Sequence, residues 1–187
     1  MKKRVFIAVN LPLNVKEKLE EKQKEIDRAF SFFNGFCPVK WTRKNSLHIT
    51  LIFLGNLEME DVFFAFEKTE EIADKVSPFE IVLNQVSYSP PNNPRMVWVG
   101  GEKSEELKEI HNYLDKELSG HGNKEFAPHI TLGRIKQWQF RKINREEIPQ
   151  PGEINLRFKV NSLEVMESEL KRGGPDYTVL KSFPLSL

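Results

Sequence analysis

The chain has 187 residues, of which 39% are hydrophobic, and its 28 basic and 27 acidic side chains give a net charge of +1. This length fits one compact domain or two small lobes that share a core, and the charge balance argues against a long electrostatic track for duplex DNA while leaving room for a local anion pocket. The single cysteine, Cys37, excludes a disulfide framework within the chain, and no apolar stretch approaches the roughly 20 residues of a membrane helix.

The first half of the sequence predicts strands and helices in alternation. Residues 5–10 alternate as in a strand, and residues 14–33 carry apolar side chains at helical spacing. A second strand over 47–54 ends at a Gly-Asn pair, and a second helix over 59–76 is stopped by a proline. A third strand, over 79–88, completes this half.

The second half repeats this order after a turn-rich loop, which has the sequence Ser89-Pro90-Pro91-Asn92-Asn93-Pro94. A strand over 96–99 is followed by a helix over 104–118 and by a strand over 126–135. Two further strands complete the chain. The loop is therefore the best candidate for a boundary between two related halves.

The repeated order of elements predicts an α+β fold built by duplication. We expect a single domain over residues 1–187 made of two lobes, at about 1–90 and 91–187, with strand exchange between the lobes allowed. In this pseudo-two-fold arrangement, two mostly antiparallel sheets face a central cleft and the helices pack on the outside. The apolar run at 5–9 is too short for a signal peptide and no stretch is long enough for a membrane helix, so we expect a soluble, cytoplasmic protein without a membrane partner. The balanced charge favours a monomer.

Two stretches of the chain, Leu47-His48-Ile49-Thr50-Leu51 and Pro128-His129-Ile130-Thr131-Leu132, carry the same His-x-Thr-x pattern. Residues i and i+2 of a strand point to the same face, so each copy places an imidazole and a hydroxyl side by side and turns its apolar residues the other way. Core packing does not explain this orientation of the polar pairs. We therefore predict that both pairs face one cleft. The predicted catalytic residues are His48, Thr50, His129 and Thr131.

Two imidazoles and two hydroxyls in one cleft suit acid–base chemistry on a phosphate ester. With an ordinary pKa of about 6.5, a neutral imidazole removes a proton from the nucleophile while a protonated one gives a proton to the leaving oxygen. The hydroxyls would donate hydrogen bonds to the non-bridging phosphate oxygens. A strained 2′,3′-cyclic phosphate suits such a pair, whereas linear phosphodiesters without an adjacent hydroxyl usually recruit metals.

Arg134 is a candidate for binding the phosphate. It lies at an odd offset from Thr131, so a regular strand would turn its side chain away from that of the threonine. Gly133, between them, allows a bulge or bend that brings the guanidinium back, where it would stabilise the charge that builds on the phosphate. The alternative interpretation is that Arg134 is a solvent-exposed charge at the end of a strand.

Neither a metal site nor a cofactor is expected from these residues. Zinc takes three or four nitrogen, sulfur or carboxylate ligands, and the two frames offer two imidazoles without Asp, Glu or Cys. His111 on a helix and His121 in a glycine-rich loop lack ligand spacing to the pair. Histidine-triad hydrolases are excluded because they need alternating histidines, and neither His48 nor His129 has a histidine two residues on.

These motifs resemble the 2H phosphoesterases and, within that superfamily, the bacterial and archaeal RNA 2′,3′-cyclic phosphodiesterases, also called 2′-5′ RNA ligases. The resemblance spans nearly the whole chain, and it differs at Ile52, where relatives often carry a basic residue. The matching stretches are Val5-Phe6-Ile7-Ala8, Val39-Lys40-Trp41, 45–51, Phe53-Leu54-Gly55, Pro94-Arg95-Met96-Val97-Trp98, 126–134 and Gly174-Pro175-Asp176-Tyr177.

The resemblance implies a bilobal fold and metal-independent hydrolysis of RNA 2′,3′-cyclic phosphate ends to 2′-phosphomonoesters. The family pattern makes His48 the proton donor and His129 the proton acceptor. Formation of a 2′-5′ bond, which is the reverse-direction chemistry, is attributed to some relatives. The partner implied is RNA with a cyclic phosphate end, such as a tRNA fragment, or a small cyclic nucleotide.

Four further residues are candidates for substrate binding. Trp41, Phe126 and Tyr177 offer aromatic faces on which bases stack, and core packing is the alternative for each. Arg95 would bind the substrate together with Arg134. Two other functions remain open. One is a cyclic phosphodiesterase that acts on small nucleotides or ADP-ribose derivatives, and the other is an RNA-end binding module that does not turn over its ligand.

Overall fold

The computed structural model of the chain describes residues 2–119, 126–172 and 174–187. Its strands are β1 (Lys3–Asn10), β2 (Val39–Trp41), β3 (His48–Leu57), β4 (Phe79–Ser89), β5 (Met96–Gly101), β6 (Ile130–Ile135), β7 (Glu153–Val160), β8 (Ser162–Lys171) and β9 (Gly174–Pro184). Its helices are α1 (Leu13–Asn34), α2 (Met59–Ala73), α3 (Glu105–Leu114) and the short α4 (Gln137–Phe140). The α+β class predicted from the sequence is confirmed.

The strands form one antiparallel sheet with the order β7-β4-β5-β6-β3-β1-β8-β9, and the short β2 pairs with β6. Two halves of this sheet meet where β3 pairs with β6, and one residue pair, Ile49 opposite Ile130, sets the register there. The two mostly antiparallel sheets expected from the sequence are therefore halves of one continuous sheet. The cleft lies at their junction.

Each half of the sheet contains strands from both halves of the chain. β3 and β1, from the first half of the chain, lie beside β8 and β9 from its end, whereas β4 lies between β5 and β7. α2 and α3 pack against the half that contains β3, and α1 packs against β6 and β7 of the other half. The description of the chain as a single domain with two lobes stays a prediction.

The helix α1 shows how the sequence pattern produces the core. Its apolar stripe of Val15, Leu19, Ile26 and Phe30 is buried, as the helical spacing predicts. The helix ends at Gly35, whose φ of 71° lies in the left-handed region that glycine adopts without strain. Within the described residues, no helix combines the length and the apolar content that crossing a bilayer requires.

Candidate active site

The two His-x-Thr frames meet at the junction of β3 and β6. In an antiparallel pair, the residues on either side of the opposed isoleucines also oppose each other, so His48 faces Thr131 across the junction and Thr50 faces His129. The histidines are then diagonal neighbours across the junction, close enough for positive charge on His129 to lower the pKa of His48. Both isoleucines are fully buried. The four polar side chains therefore lie on the opposite face, where they line one cavity.

Both imidazoles are held in the same way. Nδ1 of His48 lies 2.8 Å from the Ser46 carbonyl oxygen, and Nδ1 of His129 lies 2.8 Å from the Ala127 carbonyl oxygen, in each case two residues earlier. Because a carbonyl oxygen only accepts, each Nδ1 carries a proton and donates it. Nε2 is thereby left as the reactive nitrogen, and Nε2 of His48 lies 2.9 Å from Thr50 Oγ1.

The surroundings of both histidines favour the neutral imidazole in the free protein. Burial lowers the pKa of His129 below its ordinary value, and the Ala127 carbonyl opposes this in part. Burial also lowers the pKa of His48, against the effect of the Ser46 carbonyl, and positive charge on Lys16 and on His129 lowers it further. An anion bound between the rings would stabilise their protonated forms and reverse this tendency.

Aromatic side chains pack against both rings. Trp98 stacks on His129, with ring centroids 3.8 Å apart and planes inclined by 17°. His48 lies 5.0 Å from the ring of Phe6 and 5.2 Å from that of Tyr177. Sequence reasoning missed Trp98 and Phe6. Alternation along β5 gives Trp98 a definite face, but the pairing of β5 with β6 decides that this face meets the cleft.

A bulge in β6 turns Arg134 toward the cleft. Consecutive residues of β5 oppose Thr131 and Gly133, so Leu132 has no partner on that strand. Such an extra residue shifts the side-chain alternation of the strand by one position. The side chain of Arg134 therefore returns to the face of Thr131, and it lines the cavity.

Gly133 lets β2 approach β6 closely. A Cβ at this position would lie 2.5 Å from Val39 Cγ1, 2.9 Å from Trp41 Cε3 and 3.1 Å from the Lys40 carbonyl oxygen. We expect Gly133→Ala to lower the free energy of unfolding by about 1–3 kcal/mol, because it overpacks the interface, as measured by denaturant titration. Gly100→Ala is the matched control, because a Cβ there meets nothing within 4 Å. Equal destabilisation of the two variants would contradict this role.

The cavity is positively charged in a protein that is nearly neutral overall. Its described lining contains no aspartate or glutamate, and in a partly enclosed site such an imbalance attracts anions more strongly than in bulk water. Sequence reasoning missed seven of the lining residues, namely Lys40, Thr42, Arg43, Ser46, Phe53, Gly174 and Pro175. The described lining residues are Lys40, Trp41, Thr42, Arg43, Ser46, His48, Thr50, Phe53, His129, Thr131, Arg134, Gly174, Pro175 and Tyr177.

Two of the predicted binding residues, Phe126 and Arg95, lie outside this cavity. Phe126 stacks on the ring of His111, with centroids 4.2 Å and planes 8° apart, and it packs against the core. Arg95 is exposed and directly precedes Met96, which opposes Arg134 on the cleft face of the sheet, so alternation turns Arg95 the other way. The structure therefore does not support a role for either residue in the cavity.

Trp41 and Tyr177, the other predicted aromatic residues, both line the cavity.

The third described histidine, His111, lies outside the cavity, and its Nδ1 is 2.9 Å from the Leu51 carbonyl oxygen. His121, predicted to lie in a loop, is outside the described residues. Within the described ranges, no group of three or more His, Cys, Asp or Glu side chains is arranged to hold a metal ion.

Known proteins resemble this chain in both sequence and fold. Residues 19–172 match the family model of the 2′-5′ RNA ligase superfamily. The chain is 29% identical to the RNA 2′,3′-cyclic phosphodiesterase of Methanocaldococcus jannaschii, over 96% of this chain and 99% of that protein. It is 32% identical to the protein of the same name from Thermus thermophilus, over 97% of this chain and 90% of that protein.

Two crystal structures resemble the fold along almost its whole length. A protein of Thermus thermophilus superposes with a TM-score of 0.77 and 28% identity, over 97% of each chain. The structure of E. coli LigT complexed with 3′-AMP superposes with a TM-score of 0.76 and 25% identity, over 100% of each chain. The likeness thus covers both halves of the sheet and the junction between them.

Proposed function

The chain belongs to the 2′-5′ RNA ligase superfamily, and on this basis we propose that it hydrolyses RNA 2′,3′-cyclic phosphate ends to 2′-phosphomonoesters without a metal ion. The observation that carries this proposal is the placement of two imidazoles and two hydroxyls on one face of the sheet, in a cavity lined by cationic side chains. The relatives named RNA 2′,3′-cyclic phosphodiesterase support the same reaction.

Hydrolysis requires a base and an acid on opposite sides of the phosphorus atom, because the nucleophile enters in line with the leaving oxygen. The diagonal placement of the two histidines suits this requirement. In the proposed reaction, Nε2 of neutral His129 takes a proton from water as the water oxygen bonds to phosphorus. The bond from phosphorus to the 3′ oxygen breaks, and protonated His48 gives its Nε2 proton to that oxygen. The product carries its phosphate on the 2′ oxygen.

The remaining polar side chains of the cleft would bind the non-bridging phosphate oxygens. The hydroxyls of Thr50 and Thr131 donate hydrogen bonds, and the guanidinium of Arg134 adds a positive charge with donors in a fixed plane. Donors that are in place before the reaction stabilise the charge that builds up in the transition state without reorganisation. The packing of β2 against Gly133 and the bulge at Leu132 supply that preorganisation.

The activity is expected to depend on pH in a bell-shaped manner, with a maximum of kcat/KM below about pH 6.5. When pH falls through the pKa of His129, the base is protonated and activity is lost. When pH rises through the pKa of His48, the acid loses its proton and activity is lost again. Both limbs lie on the acidic side because burial lowers both pKa values in the free protein.

This profile is measured with a 2′,3′-cyclic nucleotide across the titration range of histidine. Bound phosphate raises the pKa of the acid, so the alkaline limb of kcat is expected at higher pH than that of kcat/KM, which reports the free enzyme. A rate that does not change across this range would contradict the assignment of both histidines.

The reaction itself is tested by product analysis. An RNA oligonucleotide that ends in a 2′,3′-cyclic phosphate is incubated with the protein in excess EDTA, and phosphorus NMR identifies the product. A 2′-phosphate end formed at an unchanged rate in EDTA is the expected result. A 3′-phosphate end, or activity that returns only with a divalent cation, would overturn the mechanism. Tight binding without turnover would instead favour an RNA-end binding module.

The same arrangement supports 2′-5′ ligation as a second activity. If a 5′-hydroxyl end replaces water, His129 takes its proton, the 5′ oxygen bonds to phosphorus, and the 3′ oxygen leaves with the proton from His48. The phosphate then bridges a 2′ and a 5′ oxygen. Adding an excess of RNA with a 5′-hydroxyl end to the same assay is expected to yield a longer product with a 2′-5′ bond.

A further inference from the structure

A second groove, called here the α1 groove, begins at the wall of the catalytic cavity. Trp41, Thr42 and Arg43 line both depressions, so these three residues form the wall between them. The other residues that line the α1 groove are Glu20, Gln23, Lys24, Asp27, Arg28 and Lys44. They come from α1 and from the turn after β2, and none of them lines the catalytic cavity.

The wall between the two depressions is held by defined contacts. The indole Nε1–H of Trp41 donates to Asp27 Oδ1 at 2.7 Å. Gln23 is buried on α1, and its Nε2 donates to the carbonyl oxygens of Thr42, at 2.9 Å, and Leu132, at 2.8 Å. These bonds tie α1 to β2 and to the bulge of β6. The position of the groove relative to the catalytic histidines is therefore determined by the core.

Some charged side chains of the α1 groove have ion-pair or hydrogen-bond partners, and others do not. Both acidic side chains have partners, because Glu20 is paired with Lys24 at 3.2 Å and Asp27 accepts a hydrogen bond from the indole N–H of Trp41. Lys44 is paired with Glu17 at 3.3 Å. Arg28 and Arg43 are exposed, and within the described part of the chain neither guanidinium has an ion-pair partner within 4 Å, although the charge of Arg43 acts on Asp176 and lowers the pKa of that carboxyl group. Arg28 thus lines the groove with a charge that is unpaired among the described residues.

We propose that the α1 groove binds the nucleotide on the 5′ side of the cyclic phosphate end, with Arg28 contacting its phosphate. This inference rests on the proposed function. The reacting phosphate is at the 3′ terminus of the RNA, so the rest of the strand must leave the cavity along one path. A guanidinium is suited to phosphate by charge and by its planar donors. Trp41 stands at the junction and offers aromatic surface to the departing nucleotide.

The test compares a charge reversal in the groove with a matched one elsewhere. Arg28→Glu and Lys159→Glu change the net charge equally, and both residues are exposed. Lys159 is on β7, which β4 and β5 separate from β6 in the sheet. The substrates are a 2′,3′-cyclic mononucleotide and a trinucleotide RNA that ends in a 2′,3′-cyclic phosphate. Only the trinucleotide has a phosphate on the 5′ side that can reach the groove.

Arg28→Glu is expected to lower kcat/KM for the trinucleotide by about tenfold or more, as the loss of a hydrogen bond to a charged group does, and to leave the mononucleotide rate unchanged. The salt dependence of the trinucleotide reaction should weaken, with a slope against log salt that falls by about 0.7 in magnitude for one lost phosphate contact. Lys159→Glu should leave both substrates unaffected. An equal effect of Arg28→Glu on both substrates, or no effect on either, would overturn the proposal.

A binding measurement separates this inference from the proposed reaction. The affinity of the wild type and of Arg28→Glu for a trinucleotide that ends in a 2′-phosphate is measured by calorimetry. If the wild type hydrolyses neither substrate, the reaction is refuted, while weaker binding of the trinucleotide by Arg28→Glu still supports the groove. Equal affinity of the two proteins would overturn the groove, whatever the outcome of the hydrolysis assay.

Discussion

His48→Ala and His129→Ala are each expected to reduce hydrolysis of a 2′,3′-cyclic phosphate by about 10²- to 10⁴-fold, the range for a lost general acid or base. The reason is geometric, because each imidazole supplies the proton transfer on its own side of the phosphorus atom. Neither ring can replace the other, since each Nδ1 is bound to a backbone carbonyl two residues earlier. The measurement is kcat/KM for a 2′,3′-cyclic nucleotide.

The pH profiles of the two variants distinguish the roles of the two histidines. A variant without the base loses the acidic limb of the profile, and a variant without the acid loses the alkaline limb. We expect the alkaline limb to disappear in His48→Ala and the acidic limb in His129→Ala. The reverse result would exchange the two roles while leaving the reaction class unchanged.

The control for these variants is His111→Ala, which removes an imidazole outside the cavity. Among the described residues, His111 contacts Phe126 and the Leu51 carbonyl, and it does not line the cavity, so its loss should leave kcat/KM near that of the wild type. Circular dichroism and thermal melting establish that all three variants remain folded. A folded His48→Ala or His129→Ala protein with normal turnover would refute the two-histidine mechanism.

Arg134→Ala is the variant with the second largest expected effect. Loss of a preorganised donor to the developing charge typically costs about 10²- to 10³-fold in kcat. Arg134→Lys should recover part of this loss, because lysine keeps the charge but not the planar pair of donors. The measurement is steady-state kinetics with a 2′,3′-cyclic nucleotide, and the effect should appear in kcat more than in KM.

Arg95→Ala is the matched control for Arg134. Both residues are arginines near the second motif region, but only Arg134 lies on the cleft face of the sheet. The bulge at Leu132 makes this difference, so Arg95→Ala should be close to the wild type. A comparable loss of activity in the two variants would contradict this prediction. It would show that the positive charge acts at long range and that the position of Arg134 on the cleft face is not essential.

Local sequence patterns were sufficient to predict the helices and strands and the chemistry of the site. The apolar stripe of α1 and the alternation in each His-x-Thr frame depend only on the periods of a helix and a strand. These periods place the side chains of Ile49 and His48 on opposite faces of the strand, and the apolar Ile49 is the one that is buried. The residue types of the two frames then indicate acid–base chemistry before any contact between them is known.

The meeting of the two frames was decided only by tertiary structure. A single opposed pair between β3 and β6 makes the histidines diagonal neighbours. The extra residue Leu132 returns Arg134 to the cleft, and the pairing of β5 brings Trp98 onto His129. The same register leaves Arg95 on the other face, and α3 supplies the ring of His111 on which Phe126 stacks. Register between distant strands is not encoded by the period of either strand, and a shift of one residue exchanges every side chain between the two faces.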